Sequence, residues 1–279
     1  MTTTARRATV LLPEPTHSYG ERSAPALVGH SLVHTKRLLR TWLRTPGTII
    51  QTVIYPILTM LMLRIVLGDS ISAATGQPSI YGTVPMISLI AAMTGAMVSA
   101  LGLSQERSSG LLGRFATMPV HPASGLIGRL LAEGLRVFVT TVCIVIAGLA
   151  LGFRFNNGPL AALALLGLPV LFGMGFATLI VALAANFNGL LVVNVVSIVT
   201  TLLMFFNSGF VPVAAYPTWL QDVVAHQPMS CAVDAMKGLS LGGPVADSLW
   251  QTLAWSLGFF VVFIGPAVWG YRRAAQTGA

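Results

Sequence analysis

LAALALLGLPVLFGMGFATLIVALAANFNGLLVVNVVSIVTTLLMFFNSGFV, residues 160–211, contains not one Asp, Glu, Lys or Arg. At about 1.5 Å per residue, roughly 20 residues cross the hydrocarbon of a bilayer, so this stretch is long enough to cross twice. Asn186, Phe187 and Asn188 divide it into Leu160–Ala185 and Gly189–Val211. Two asparagines in so short a break suit a tight turn at one membrane face, and the stretch reads as a hairpin of two transmembrane helices. The Ala and Gly positions of the first arm (Ala161, Ala162, Ala164, Gly167, Gly173, Gly175, Ala177) suit close helix packing.

Working outward, the same scan finds Thr48–Leu67, Val84–Leu103 and Val137–Phe153 upstream and Leu249–Tyr271 downstream. The fold expected is an all-α integral membrane domain of six transmembrane helices over residues 48–271. Composition agrees, since 54% of the chain is hydrophobic and 9% charged, where a soluble domain carries about a quarter charged residues. The net charge of +8 would otherwise suggest nucleic acid, but the placement of the cations points to a membrane and no nucleic-acid partner is expected. Arg6, Arg7, Arg22, Lys36, Arg37, Arg40 and Arg44 precede the first span; Arg107, Arg114, Arg129 and Arg136 lie between the second and third; Arg272 and Arg273 follow the sixth. The opposite loops hold Arg154 and Lys237, and Arg64 can snorkel outward from the first span. The positive-inside rule therefore puts both termini in the cytoplasm and the chain in the cytoplasmic membrane. The first 47 residues lack an apolar leader core, and residues 1–25, with Pro13, Pro15 and Pro25, read as a disordered tail.

Residues 26–44 form an amphipathic wheel, Val28, Leu32, Leu39, Trp42 and Leu43 on one arc and Lys36, Arg37, Arg40 and Arg44 on another. Such a helix lies in the headgroup plane against membrane lipids, either as an anchor or as a moving elbow. The loop 104–124 carries Leu111, Leu112, Phe115 and Met118 as an apolar ridge, framed by Glu106, Arg107, Gly110 and Arg114 and ended by Pro119. A purely solvated loop needs no such ridge; it reads as a short helix that docks a cytoplasmic partner or rests on the membrane. The segment 212–247 reads as an outer loop with short helices.

Thr48, Gln51, Thr52, Tyr55 and Thr59 share an arc of the first span, and Asn194, Ser197, Thr201 and Ser208 share one of the fifth. Two polar stripes in hydrocarbon meet each other, lining a pathway, forming a subunit interface, or only hydrogen bonding between helices. Glu133 pairs with Arg129 or Arg136 where the third span enters the membrane. His30 and His34 sit four apart with no third ligand nearby, so no metal is expected, and Cys143 and Cys231 fall at different depths, unsuited to a disulfide. A phosphate loop of the form G-x-x-x-x-G-K-[ST] is absent, neither Lys36 nor Lys237 follows a glycine, and no nucleophile has a base at motif spacing. The chain is expected to be no enzyme and to bind no cofactor.

The run Glu106-Arg107-x-x-Gly110-x-Leu112-x-Arg114, closed by Pro119-Val120-His121, resembles the coupling-helix region of ABC-2-type exporter permeases. Tyr216-Pro217-x-Trp219-Leu220, His226-Gln227-Pro228-Met229-Ser230 and Ala235-Met236-Lys237-Gly238 are similar to that family's outer segment before the last span. Phe153-Arg154-Phe155 and Gly270-Tyr271-Arg272-Arg273 extend the likeness to actinobacterial Drr permeases, best to the C-type subunit linked to phthiocerol dimycocerosate export. The resemblance implies the type V exporter layout, a separate ATP-binding cassette subunit in two copies holding ATP and Mg, and a second permease of B type. The cargo implied is a complex lipid or a lipophilic drug such as an anthracycline. A stand-alone secondary carrier or a membrane scaffold is the alternative from residues alone.

Overall fold

The computed structural model describes residues 23–277 except Pro119 and Pro122, and only the backbone of Ala116 and of residues 275–277. Most of the expected tail, with Arg6, Arg7 and Arg22, lies outside the described residues. Within them every regular element is helical: α1 (Ala24–Arg44), α2 (Pro46–Ile49), a π-helical turn (Ile50–Ile54), α3 (Tyr55–Thr75), α4 (Ile80–Ser108), α5 (Leu111–Ala116) and α6 (Ser124–Ala150). α7 (Gly158–Asn186), α8 (Gly189–Phe205), α9 (Thr218–His226), α10 (Pro228–Leu241) and α11 (Ala246–Thr277) complete the order, with one 3₁₀ turn at Val213–Ala215.

Five of the six expected spans are apolar helices long enough to cross, the other is the shorter α8, and the ends are shifted. The first is continuous over Pro46–Thr75, longer than the expected Thr48–Leu67, with Asp69 fully exposed and still helical. Gly76, in the left-handed region at φ 67°, ends it. Inside it, Pro56 has no N–H and its ring crowds the carbonyl four residues back, which favours the wide turn just before it; Tyr55 N–H accordingly bonds Ile50 O, five residues back. The third span starts at Ser124 instead of Val137, since its charged residues are buried by the bundle and so belong to the helix. The fifth ends at Phe205, short of Val211. Asn207 takes over there: its carboxamide donates to the carbonyls of Leu203 (3.3 Å) and Met204 and accepts from Gly209 N–H at 2.6 Å, substituting side-chain for helical hydrogen bonds. Five apolar helices of 27 to 30 residues are long enough to span, and α8, with 17, is near the lower limit.

α7 is the central staff, against α4, α6 and α11. A Cβ on Gly175 would stand 2.5 Å from Ser256 O of α11, and one on Gly173 would press Val137 and Ala92, so those glycines set the spacing of three neighbours. Gly167 has open space and plays no such part. By contrast the first span and α11 expose Leu58, Met62, Ile65, Val261 and Val262, surface that only a bilayer or another apolar protein covers. α10 is no surface helix: Met229, Ala232, Val233, Ala235 and Met236 are fully buried against α4, α7 and α11.

Candidate functional site

The basic residues of α1, α4, α5, α6 and α11 gather at one end of the bundle. Its centre is Glu106, near the end of α4. Arg37 of α1 donates to Glu106 Oε1 at 2.6 Å, and Arg129 of α6 donates to Oε2. Arg129, 3% exposed, also donates to Ser99 O at 2.9 Å. One carboxylate therefore ties three helices, in a setting where charge-assisted bonds are strong. The Arg37 guanidinium lies 5.1 Å over the Phe115 ring, and His34 meets that ring edge-on at 5.1 Å. Burial, then the Arg37 charge, holds His34 below the usual imidazole range. His30 Nδ1 accepts the His121 N–H at 3.1 Å, so the two histidines clasp α1 to the α5–α6 connection.

This corrects the expected ridge. Leu112 is 1% exposed and sits in the bundle core, and Phe115 packs on α1, because Gly110, at φ 69°, turns α5 back across the end of α4. Leu111 is half-buried, whereas Arg114, Thr117 and Met118 face outward. Arg107 points away from Glu106, one residue further round α4, and donates to Ala185 O at 3.4 Å. Pro119 lies outside the described residues. The amphipathic helix is also inverted relative to its neighbours: α1 buries Ser31, His34, Thr35 and Leu38 against α6, where Gly128 lets Thr35 Oγ1 reach Gly128 O at 3.0 Å, and leaves Val28, Leu32 and Leu43 exposed. The small polar face packs on protein and the apolar residues Val28, Leu32 and Leu43 stay exposed.

Glu133 is paired with Arg136, as one of the two expected partners, but inside the bundle rather than at its rim: it is fully buried and the Arg136 Nε donates at 3.2 Å. Arg129 belongs instead to Glu106. Gly95 leaves the space that the Arg136 guanidinium fills, and Trp42 of α1 lies 5.9 Å below it.

The two polar stripes do meet. Gln51 and Tyr55 from the first span, Thr94 from α4, and Ser197, Thr200 and Thr201 from α8 line a groove of about 510 Å³. Thr200 lines it too, its hydroxyl buried without a hydrogen-bond partner. Thr59 and Asn194 are not among its walls; Thr59 bonds back to Tyr55 O at 2.9 Å. Ser208 leaves the stripe altogether, because α8 has ended: its Oγ donates to Asp234 Oδ1 of α10 at 2.8 Å.

Sequence reasoning missed that second cluster. Lys237 donates to Ser208 O and lies 3.7 Å from Asp234. Burial lowers the Lys237 pKa, opposed by Asp234, and burial, then Asp234, pushes the Cys231 thiol up to about 11. The i, i+3 pair Asp234-x-x-Lys237 was the available signal.

A multi-pass bundle with this short helix folded back after α4, and with α9 and α10 before the last span, is a transporter permease in architecture. The family model for ABC-2 type transporters matches residues 31–240, and the chain belongs to that family. It is 42% identical over 262 residues to "Probable doxorubicin resistance ABC transporter permease protein DrrC" of Mycobacterium tuberculosis, covering 94% of this chain and 95% of that one. It is 27% identical to the daunorubicin resistance permease DrrB1 of Streptomyces coeruleorubidus, over 92% and 91% of the two chains. The doxorubicin resistance permease DrrB of Mycobacterium tuberculosis is 25% identical, over 77% and 80%.

Proposed function

We propose that this chain is one permease subunit of an ATP-driven exporter that moves a large lipophilic molecule out of the cytoplasmic membrane. The observation that carries the reading is the Glu106 knot. A push on α5 reaches α1 through Phe115, and a shift at the end of α4 reaches α1 and α6 through Arg37 and Arg129. That is the coupling an ATPase needs in order to move a bundle that hydrolyses nothing itself. The ATPase subunit, in two copies with ATP and Mg, docks on the outward side of α5 at Arg114, Thr117 and Met118, while Phe115 and Leu112 transmit. A second permease, of B type, covers the open side of the first span and α8, so that Gln51, Tyr55, Ser197 and Thr201 face a path shared by two subunits. The names of the relatives favour an anthracycline-like drug as cargo; a complex lipid such as phthiocerol dimycocerosate fits the same apolar walls.

The test is co-purification of the ATPase subunit with wild type and with Arg114→Asp/Met118→Asp at equal expression. The expected result is about tenfold less partner with insertion intact, since the two substitutions replace a cation and an apolar side chain at the contact by carboxylates. Full retention of partner together with normal doxorubicin efflux overturns the docking surface.

A further inference from the structure

At the basic end, the turn between α7 and α8 separates two cavities of opposite character. On one side Ser104, Arg107, Ser108 and Asn188 line a polar cleft of about 410 Å³. On the other, Leu183, Phe263, Pro266 and Trp269 line an apolar groove of about 610 Å³ between α7 and α11. Phe187, 59% exposed at the tip of the turn, borders both. Among the described residues lining them there is no carboxylate.

The donors converge on the cleft. Arg107 uses Nη1 on Ala185 O, one of its five N–H groups. Asn188 Oδ1 is taken by Leu190 N–H at 3.0 Å, which leaves its NH₂ as a donor, and Ser104 and Ser108 complete the wall, the Ser108 hydroxyl already donating to Gln105 O at 3.1 Å. The Arg273 guanidinium stands 5.4 Å over the Trp269 ring. An apolar groove between spanning helices is filled by hydrocarbon, and the Arg107 cation and the donors of the adjoining cleft attract an anion attached to it.

We propose that the two cavities form one site for a single anionic phospholipid, its phosphate in the Arg107 cleft and an acyl chain in the Trp269 groove, with Phe187 between them. The site is separate from the groove of Gln51 and Thr201. It stands whichever way the bundle faces.

Trp269 is the reporter. The full chain, reconstituted in phosphatidylcholine vesicles, receives a small fraction of phosphatidylglycerol or of phosphatidylcholine with brominated acyl chains. The fluorescence absent from Trp269→Phe isolates the Trp269 signal. Brominated phosphatidylglycerol should quench it with about fivefold higher apparent affinity than brominated phosphatidylcholine, the factor for one cation near a lipid surface. Arg107→Lys should keep that preference and Arg107→Gln should abolish it. Ser108→Glu, at an exposed position, should abolish it as well and serves if Arg107→Gln fails to fold. Equal quenching by the two lipids overturns the site, and so does a preference that survives both variants. Inorganic phosphate and glycerophosphate should leave the signal unchanged; relief of quenching by either would assign the cleft to a soluble anion. Relief on adding the ATPase subunit would assign it to a protein interface. Both outcomes refute the lipid.

Discussion

Glu106 sits between a half-exposed arginine and one that is 3% exposed, and its removal leaves the Arg129 charge buried and unmatched. Glu106→Gln should therefore cost about 3–5 kcal/mol of stability, read as a lower melting temperature of the purified chain in detergent. Adding Arg129→Met should restore a large part of that loss, and a double variant no better than the single would show that the pair is not the source. Lys237 behaves differently, because its native pKa lies below the 10.5 of an unburied lysine. Between those two values the unfolded chain holds the proton more firmly than the native one, so stability rises with pH through that window and is fully recovered above 10.5. The melting temperature of wild type relative to Lys237→Met should accordingly climb as pH is raised from neutral toward 10.5. A flat difference would place Lys237 in water.

At the scale of elements, the prediction concerns α7 and α11, which touch backbone to backbone at Gly175 and Ser256. Gly175→Val should reduce the yield of folded protein severalfold in detergent chromatography, whereas Gly167→Ala, with open space around it, should be neutral or stabilising by roughly 0.5–1 kcal/mol. Equal yields from both would dissolve the distinction. That contact was partly legible: a run of Ala and Gly in an uncharged span announces close packing, though not which glycine meets which helix. The hairpin turn at residues 186–188 was legible because two long apolar arms leave so few polar residues between them. The end of α8 was not, because Asn207 acts through its own side chain on backbone carbonyls, and a hydropathy window sees only the apolar residues around it. On α1 the face that packs on α6 was not recognised as a protein contact, since Ser31, Thr35 and Gly128 are small and polar and show no hydrophobic signal. Phe115 misled for the reverse reason: an apolar residue on a short loop helix looks free until α1 is folded over it.

For the whole molecule the orientation is the claim most open to direct measurement. In a chain with Cys143→Ala, Gln77→Cys at the exposed α3–α4 turn should react with an impermeant thiol reagent outside intact cells, and Ser109→Cys should be shielded until the cells are opened. Cys231, buried and with its thiol pKa near 11, stays silent in both. Labelling in the opposite order would invert the molecule and move the proposed docking face of α5 outside. The side of the bundle that would meet a second permease holds one more mechanical fact, the π-turn at Ile50–Ile54 enforced by Pro56. An overwide turn stores one residue of slack in a helix: drawing it tight into ordinary α form rotates everything before it by about 100° relative to everything after it. In the first span Gln51 lies within that turn and Tyr55 directly after it, and both line the groove, so this wall is built on a widened turn that Pro56 holds in place.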